Sequence, residues 1–218
     1  MASARAKRQD AAETVEELLA TAERLFAERG VENVALTAIV AEAGQKNRSA
    51  LHYHFGSRAR VLGAVMERRL AVINTRRHAL LEALAADAAP ADIVRADVAA
   101  LGLTVLEAPW GADYISILAQ VRFHPQLLGE GGPREDTLSG LRLARRLLRA
   151  AAPQIPQELL GRRFNWLADA IVFELARWMR DTALAARTRT GMDALIDDLT
   201  AFGTAGMLAP PPVKGDRK

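Results

Sequence analysis

Apolar residues return at helical spacing along nearly the whole chain, and no stretch alternates in the way a strand would. Val15, Leu18, Leu19, Ala22, Leu25 and Phe26 make one clean stripe, predicting a first helix from Ala11 to Arg29 that stops at Gly30. Asp10 with Glu13 has the spacing of a capping box at its start. Residues 1–9 read as a polar, basic, mobile arm. Leu36, Ile39, Val40 and Ala43 fall at i, i+3, i+4 and i+7, a short second helix. A third follows Gly44, and a long one runs from Ser57 toward Leu84, ended by Ala89-Pro90. Further helices are expected over Asp92–Leu106, Tyr114–Phe123, Thr137–Ala152, Gln157–Ala186 and Met192–Met207, with a Gly/Pro-rich loop from His124 to Pro133. The end, APPPVKGDRK, has the composition of a disordered tail. The sum is an all-α chain of about nine helices.

The segment Leu36–Arg60 carries the most chemistry. Gly44 stands where a left-handed residue ends a helix, since glycine has no Cβ to clash there. Asn47 can cap the next helix by accepting from a free N–H. On that helix Leu51 and Phe55 share one face. At about 100° per residue, Ser49, His52 and Tyr53 project from the opposite face, with Arg48 at its flank. This is a helix-turn-helix: an inward pair anchors the helix while outward side chains reach base edges and phosphates.

Charge sharpens that reading. Between Ala43 and Arg60 lie Lys46, Arg48, Arg58 and Arg60 and no acidic residue. Ser57 reads as the N-cap of the next helix, so Arg58 and Arg60 sit in its first turn, where a cation opposes the helix dipole. A phosphate bound there would reverse that cost. The formal net charge is only +3, so the basicity is local rather than that of a general polycation. Aromatic residues make up 5% and Ala and Leu dominate the apolar half, which favours helices. The absence of cysteine excludes disulfides and thiolate ligands. No apolar run approaches a membrane span, and no secretory leader is evident.

Residues 10–62 resemble the DNA-binding domain of tetracycline-repressor-type (TetR) transcriptional regulators. The resemblance rests on Phe26, Gly30, Ile39, Ala43-Gly44, Leu51 and the run Tyr53-His54-Phe55-Gly56-Ser57-Arg58. It implies that Tyr53 and His54 contact or face the DNA backbone and that Arg58 takes the place of a phosphate-binding lysine. It implies that Arg48, Ser49, Ala50 and His52 occupy the variable positions that set operator sequence. Two departures stand out. Ala35 replaces the usual Thr or Ser at the start of the second helix, and the turn GQKN is one residue longer and brings in Lys46.

The expected organisation is a DNA-binding domain with its arm over residues 1–56, a helical effector-binding and dimerisation domain over 57–208, and a tail over 209–218. The expected function is a cytoplasmic bacterial transcription regulator, a repressor released by a small molecule. Lys46, Asn47, Arg48, Ser49, Ala50, His52, Tyr53, His54 and Arg58 would bind a palindromic double-stranded operator. The two C-terminal helices would form a homodimer. Trp110, Tyr114, Phe123, His124, Phe164 and Phe173 are the residues expected to hold a mainly apolar or aromatic effector, because region 61–180 holds most of the aromatics. No cofactor, metal or membrane partner is expected. His52 and His54 diverge by about 200° on a helix and cannot share a metal. No catalytic constellation is evident, so an enzyme, or a helical adaptor that never touches DNA, would have no use for the 46–60 arrangement.

Overall fold

The computed structural model of the chain describes residues 2–45, 55–132, 134 and 136–211. Among these it is all-α, with eight α-helices: α1 (Ala2–Arg29), α2 (Leu36–Glu42), α3 (Arg58–Glu82), α4 (Pro90–Glu107), α5 (Gly111–Phe123), α6 (Ser139–Ala151), α7 (Gln157–Asp181) and α8 (Arg189–Leu208). Short 3-10 turns link several of them, at 31–33, 125–128, 136–138 and 184–186. No helix among the described residues is long and apolar enough to cross a membrane.

One expectation fails at the start of the chain. The first helix begins at Ala2 rather than Ala11, so the basic arm is its first turns and Asp10 lies inside the helix, not at its cap. The cause is compositional: residues 2–12 are Ala, Arg, Lys, Gln, Ser and Asp with neither Gly nor Pro, and nothing interrupts propagation. Other boundaries follow their signals. Gly30 ends α1 at φ +84°, and Pro90 takes the first position of α4, where a missing N–H costs nothing. At α8, the Thr188 hydroxyl accepts from Gly191 N at 3.1 Å, a side-chain cap.

The helices gather into two compact units, Met1–Ala71 with Trp110–Glu135, and Val72–Pro109 with Asp136–Lys218. Helix α5 therefore packs along α1, although it lies more than eighty residues later in the chain. The core of the first unit is the α1 stripe of Leu18, Ala22, Leu25 and Phe26 with Ile39 and Val40 of α2, Val61, Leu62 and Val65 of α3, and Tyr114 and Ile117 of α5, all essentially inaccessible.

In the second unit α4 and α8 lie closest. Gly102 and Gly203 open the way: a Cβ on Gly203 would fall 3.3 Å from Val94 Cγ1 of α4 and 2.6 Å from Leu167 Cδ1 of α7, and one on Gly102 would fall 3.1 Å from Met192 Sδ of α8. Arg163 of α7, buried, donates from Nη1 to the carbonyls of Met207 (2.9 Å) and Ala209 (2.5 Å) and from Nη2 to Pro210 O (3.2 Å). It satisfies the open end of α8 and places a cation at the negative end of its dipole.

Candidate nucleic-acid interface

Helix α2 and its exit set the direction of the chain entering residues 46–54. Ala43 N donates to Ile39 O at 2.9 Å, Gly44 N to Ala41 O at 3.1 Å, and Gln45 N to Val40 O at 3.1 Å. With Gly44 at φ +66°, this is a Schellman motif, as the glycine predicted. Gln45 Nε2 donates to Glu17 Oε2 at 2.9 Å, which fastens the turn to α1. The other end of α2 is weaker. Ala35 has the extended backbone of an N-cap, φ −79° and ψ 144°, and no side-chain bond. Ala35→Ser is therefore expected to stabilise the protein by about 1 kcal/mol, read as a higher midpoint in urea unfolding.

Lys46, Asn47, Arg48, Ser49, Ala50, His52, Tyr53 and His54 lie outside the described residues. Beyond them the chain returns at the start of α3. Ser57 Oγ accepts from Arg60 N at 3.3 Å, the cap expected from sequence. Arg58 and Arg60 are exposed in the first turn. Arg58 Nη1 donates to Glu32 O at 2.7 Å, tying α3 to the α1–α2 connection while the residue stays exposed.

Two ionic clusters hold this frame, and neither is legible in the sequence. Glu42 of α2 accepts from Arg24 (2.9 Å) and Arg29 (2.7 Å) of α1. The Arg24 bond, then the Arg29 bond, hold its carboxyl below the usual glutamate range. A depressed carboxyl contributes stability at neutral pH that is lost as pH falls through the folded value. Unfolding midpoints of the protein and of Glu42→Gln are expected to differ at neutral pH and to converge on acidification.

The second cluster is interior. Glu23 of α1, 2% exposed, accepts from Arg69 Nε (2.9 Å) and Nη2 (2.6 Å) and from Arg68 Nη2 (3.0 Å) of α3. Arg68 Nη1 also donates to Glu16 at 2.7 Å. Arg69 lies 4.5 Å above the Trp110 ring, and Trp110 meets Tyr114 edge-on at 5.8 Å. From α5, Gln120 Oε1 accepts from Val31 N at 2.9 Å and its Nε2 donates to Phe26 O at 3.2 Å, sealing the end of α1. Asp113, half-buried on the same helix, is pushed above the usual aspartate range by burial, then by the carboxylates of Glu23 and Glu28.

The six aromatic and imidazole residues expected at an effector site are divided between the two units. Trp110, Tyr114, Phe123 and His124 belong to the first unit, Phe164 and Phe173 to the second. Trp110 and the buried Tyr114 serve the Arg69 contact. Phe123 is 71% exposed with His124 edge-on at 4.8 Å. Phe164 is buried beneath Arg145 at 4.8 Å, and Phe173 is partly exposed. A cavity of about 360 Å³ in the second unit is lined by Leu81, Leu84, the 85–89 loop, Pro90, Ile93, Leu147, Ala150 and Ala151. Among the described residues, no group of three or more His, Asp or Glu side chains could hold a metal ion.

Comparison with known proteins supplies the family. Residues 18–65 match the model of the N-terminal domain of bacterial regulatory proteins of the tetR family, and residues 99–206 match a tetracyclin repressor-like C-terminal domain. Among solved structures, the chain is similar to the TetR family transcriptional regulator PfmR from Thermus thermophilus (TM-score 0.54, 19% identity, 89% of this chain and 95% of that one). It is also similar to TetR-family proteins from Mesorhizobium loti (0.52, 16%, 91% and 96%) and from Rhodococcus sp. (0.54, 14%, 87% and 99%). At these identities the likeness is one of fold. No curated protein sequence matches the chain significantly. Regulators of this family are not enzymes. With both halves matched, over more than half of its length, the chain belongs to the tetR family of bacterial regulatory proteins and is a DNA-binding transcriptional regulator.

Proposed function

We propose that this regulator is a repressor that binds a palindromic operator as a homodimer and is released by a small-molecule effector. The observation that carries the DNA-reading half is the exit of α2. The Gly44 turn, anchored by Gln45 on Glu17, and the Ser57 cap at the start of α3 fix the two chain ends that flank residues 46–54. Within that segment Arg48, Ser49, Ala50 and His52 read bases, while Lys46, Asn47, Tyr53 and His54 position the backbone. Arg58 adds a phosphate contact with the part of its guanidinium that Glu32 does not hold. Arg58→Ala is expected to weaken all sequences alike and to reduce the slope of log affinity against log salt by about one. An unchanged slope assigns Arg58 to the Glu32 contact alone.

Dimerisation through α7 and α8 is supported by large apolar side chains that these helices leave in solvent: Trp166 at 60% and Phe202 at 69% exposure, with Phe173 two turns from Trp166. Exposed aromatics grouped on two neighbouring helices fit an interface that pairs into a four-helix bundle. A two-fold dimer would set its reading heads about 34–36 Å apart, on successive major grooves. The effector is a mainly apolar small molecule held within residues 61–180. The Leu- and Ala-lined cavity at 81–93 and 147–151 supports this. Selection of duplexes from random DNA by the purified protein tests the reading. The expected product is a pair of inverted half-sites one helical turn apart, bound by a species of twice the 23.6 kDa chain mass in light scattering. A monomer that enriches no common sequence contradicts it.

A further inference from the structure

Asn74, His78 and Glu82 recur every four residues on α3 and so share one helix face, against which the start of α6 is bonded. Gly140 N donates to Asn74 Oδ1 at 2.8 Å. A Cβ at Gly140 would fall 2.3 Å from that oxygen and 3.1 Å from Arg77 Cδ, so glycine is what lets the two helices come this close. Arg77 is itself fixed, being buried with its Nε donating to the equally buried Asp97 of α4 at 2.6 Å. Ser139, the first residue of α6, completes the cluster. Its Oγ lies 2.8 Å from Asn74 Nδ2 and 3.1 Å from His78 Nε2, and His78 Nδ1 lies 3.2 Å from Glu82 Oε1.

These bonds share one consistent arrangement of protons. A backbone N–H can only donate, so Gly140 fixes Asn74 Oδ1 as an acceptor and turns the Nδ2 donor toward Ser139 Oγ. The Ser139 hydroxyl accepts there and has its own proton to give to His78 Nε2. At the far side of the ring the Glu82 carboxylate accepts only, which keeps the imidazole proton on Nδ1. His78 therefore aims its lone pair at the serine proton, with a carboxylate behind it. A hydroxyl, a base within hydrogen-bond reach and a third group that orients the base are the parts that activate a serine as a nucleophile. The cluster is open to solvent. Ser139 is half-buried, and the side chains of His78 and Glu82 are 33% and 68% exposed.

One part of a hydrolytic site is missing. The N–H adjoining Ser139, that of Gly140, is taken by Asn74 and does not point at the oxyanion that acyl transfer creates. Without that donor the serine suits acyl donors with a good leaving group, and its own acyl ester, an ordinary alkyl ester, is left in place. We propose that Ser139 is a covalent modification site that takes one acyl group from an activated ester or thioester. Oγ bonds to the acyl carbon, and the bond from that carbon to the leaving oxygen or sulfur breaks. The hydroxyl proton passes to His78 Nε2 and from there to the leaving group, which departs as an alcohol or thiol. Glu82 acts through His78 as a positioning residue. The reaction requires neither operator DNA nor a bound effector.

Incubation of the full-length protein with p-nitrophenyl acetate, followed by peptide mass mapping, tests it. Nitrophenolate release is expected to stop at about one equivalent per chain, with the acetyl group on Ser139. Acetylation of Ser139 no faster than of Ser116, a serine of similar burial, refutes the site. Release that continues at a steady rate overturns the stoichiometric acceptor. Ser139→Ala is expected to abolish the fast release, and release unchanged in that variant places the reaction elsewhere. His78→Gln keeps a hydrogen-bonding side chain beside Ser139 but no group that takes up its proton. It is expected to slow acetylation at least about a hundredfold with the melting temperature unchanged, and an unchanged rate refutes His78 as the base. Glu82→Ala is expected to slow acetylation at least about tenfold, the usual worth of a hydrogen bond to a charged group, and Glu82→Asp to restore part of the rate. A rate indifferent to both variants overturns the positioning role.

Discussion

Glu23→Ala is expected to destabilise the protein by about 3–5 kcal/mol, the cost of leaving buried charges without their counter-ion. Glu23 receives three guanidinium N–H groups from Arg68 and Arg69, and both arginines are themselves largely covered. Removing the carboxylate strands two cations on α3 and frees Arg69, which also covers Trp110. A loss of that size is a third or more of the stability of many domains, so denaturant unfolding would show a sharply lowered midpoint. The companion variant Glu23→Leu, Arg69→Met restores apolar contact in place of one ion pair and should recover part of the loss. A midpoint within about 0.5 kcal/mol of wild type for Glu23→Ala, the range of an ordinary surface substitution, would mean the cluster contributes no more than solvated charges do.

The second large effect reverses a usual sign. Glycine inside a helix ordinarily costs about 0.5–1 kcal/mol relative to alanine, so Gly→Ala in α3 would be expected to stabilise. At Gly63 the added Cβ would fall 2.0 Å from the carbonyl oxygen of Gly131, and a Cβ on Gly131 would fall 2.5 Å from Ala59 O. Backbone meets backbone, and no flexible side chain can yield. Gly63→Ala is therefore expected to destabilise by about 1–3 kcal/mol, as overpacking does, and to loosen the 128–132 loop from the first turns of α3. Gly161 of α7 provides the contrast, since a Cβ there meets nothing within 4 Å and Gly161→Ala should stabilise. Thermal melts of the two variants should move in opposite directions.

What can be read from the sequence is local. The apolar stripe of α1, the Gly44 exit, the Ser57 cap and the bare cap at Ala35 are each decided by residues within a turn of one another. The structure has each of them. The length of α1 is misread from sequence because an acidic pair at cap spacing outweighs a run of helix formers with no breaker. Partnership is not legible at all. Periodicity announces α5 as a helix but says nothing of its packing on α1, so Gln120, a polar residue at the end of an ordinary stripe, gives no sign that it bonds Phe26 and Val31. Glu23 and Asp97 look like the charges of solvated faces. Their burial depends on arginines 45 and 20 residues away, a separation that no local pattern carries.

If residues 46–54 read DNA by sequence, fluorescence anisotropy of the selected operator duplex and a scrambled duplex of the same composition, titrated at one fixed salt concentration, will separate the two. Operator binding is expected to be at least about a thousandfold tighter than scrambled binding. Arg48→Ala or His52→Ala is expected to narrow that ratio by lowering operator affinity alone. Equal affinity for the two duplexes, or variants that weaken both in parallel, would contradict sequence reading by this segment.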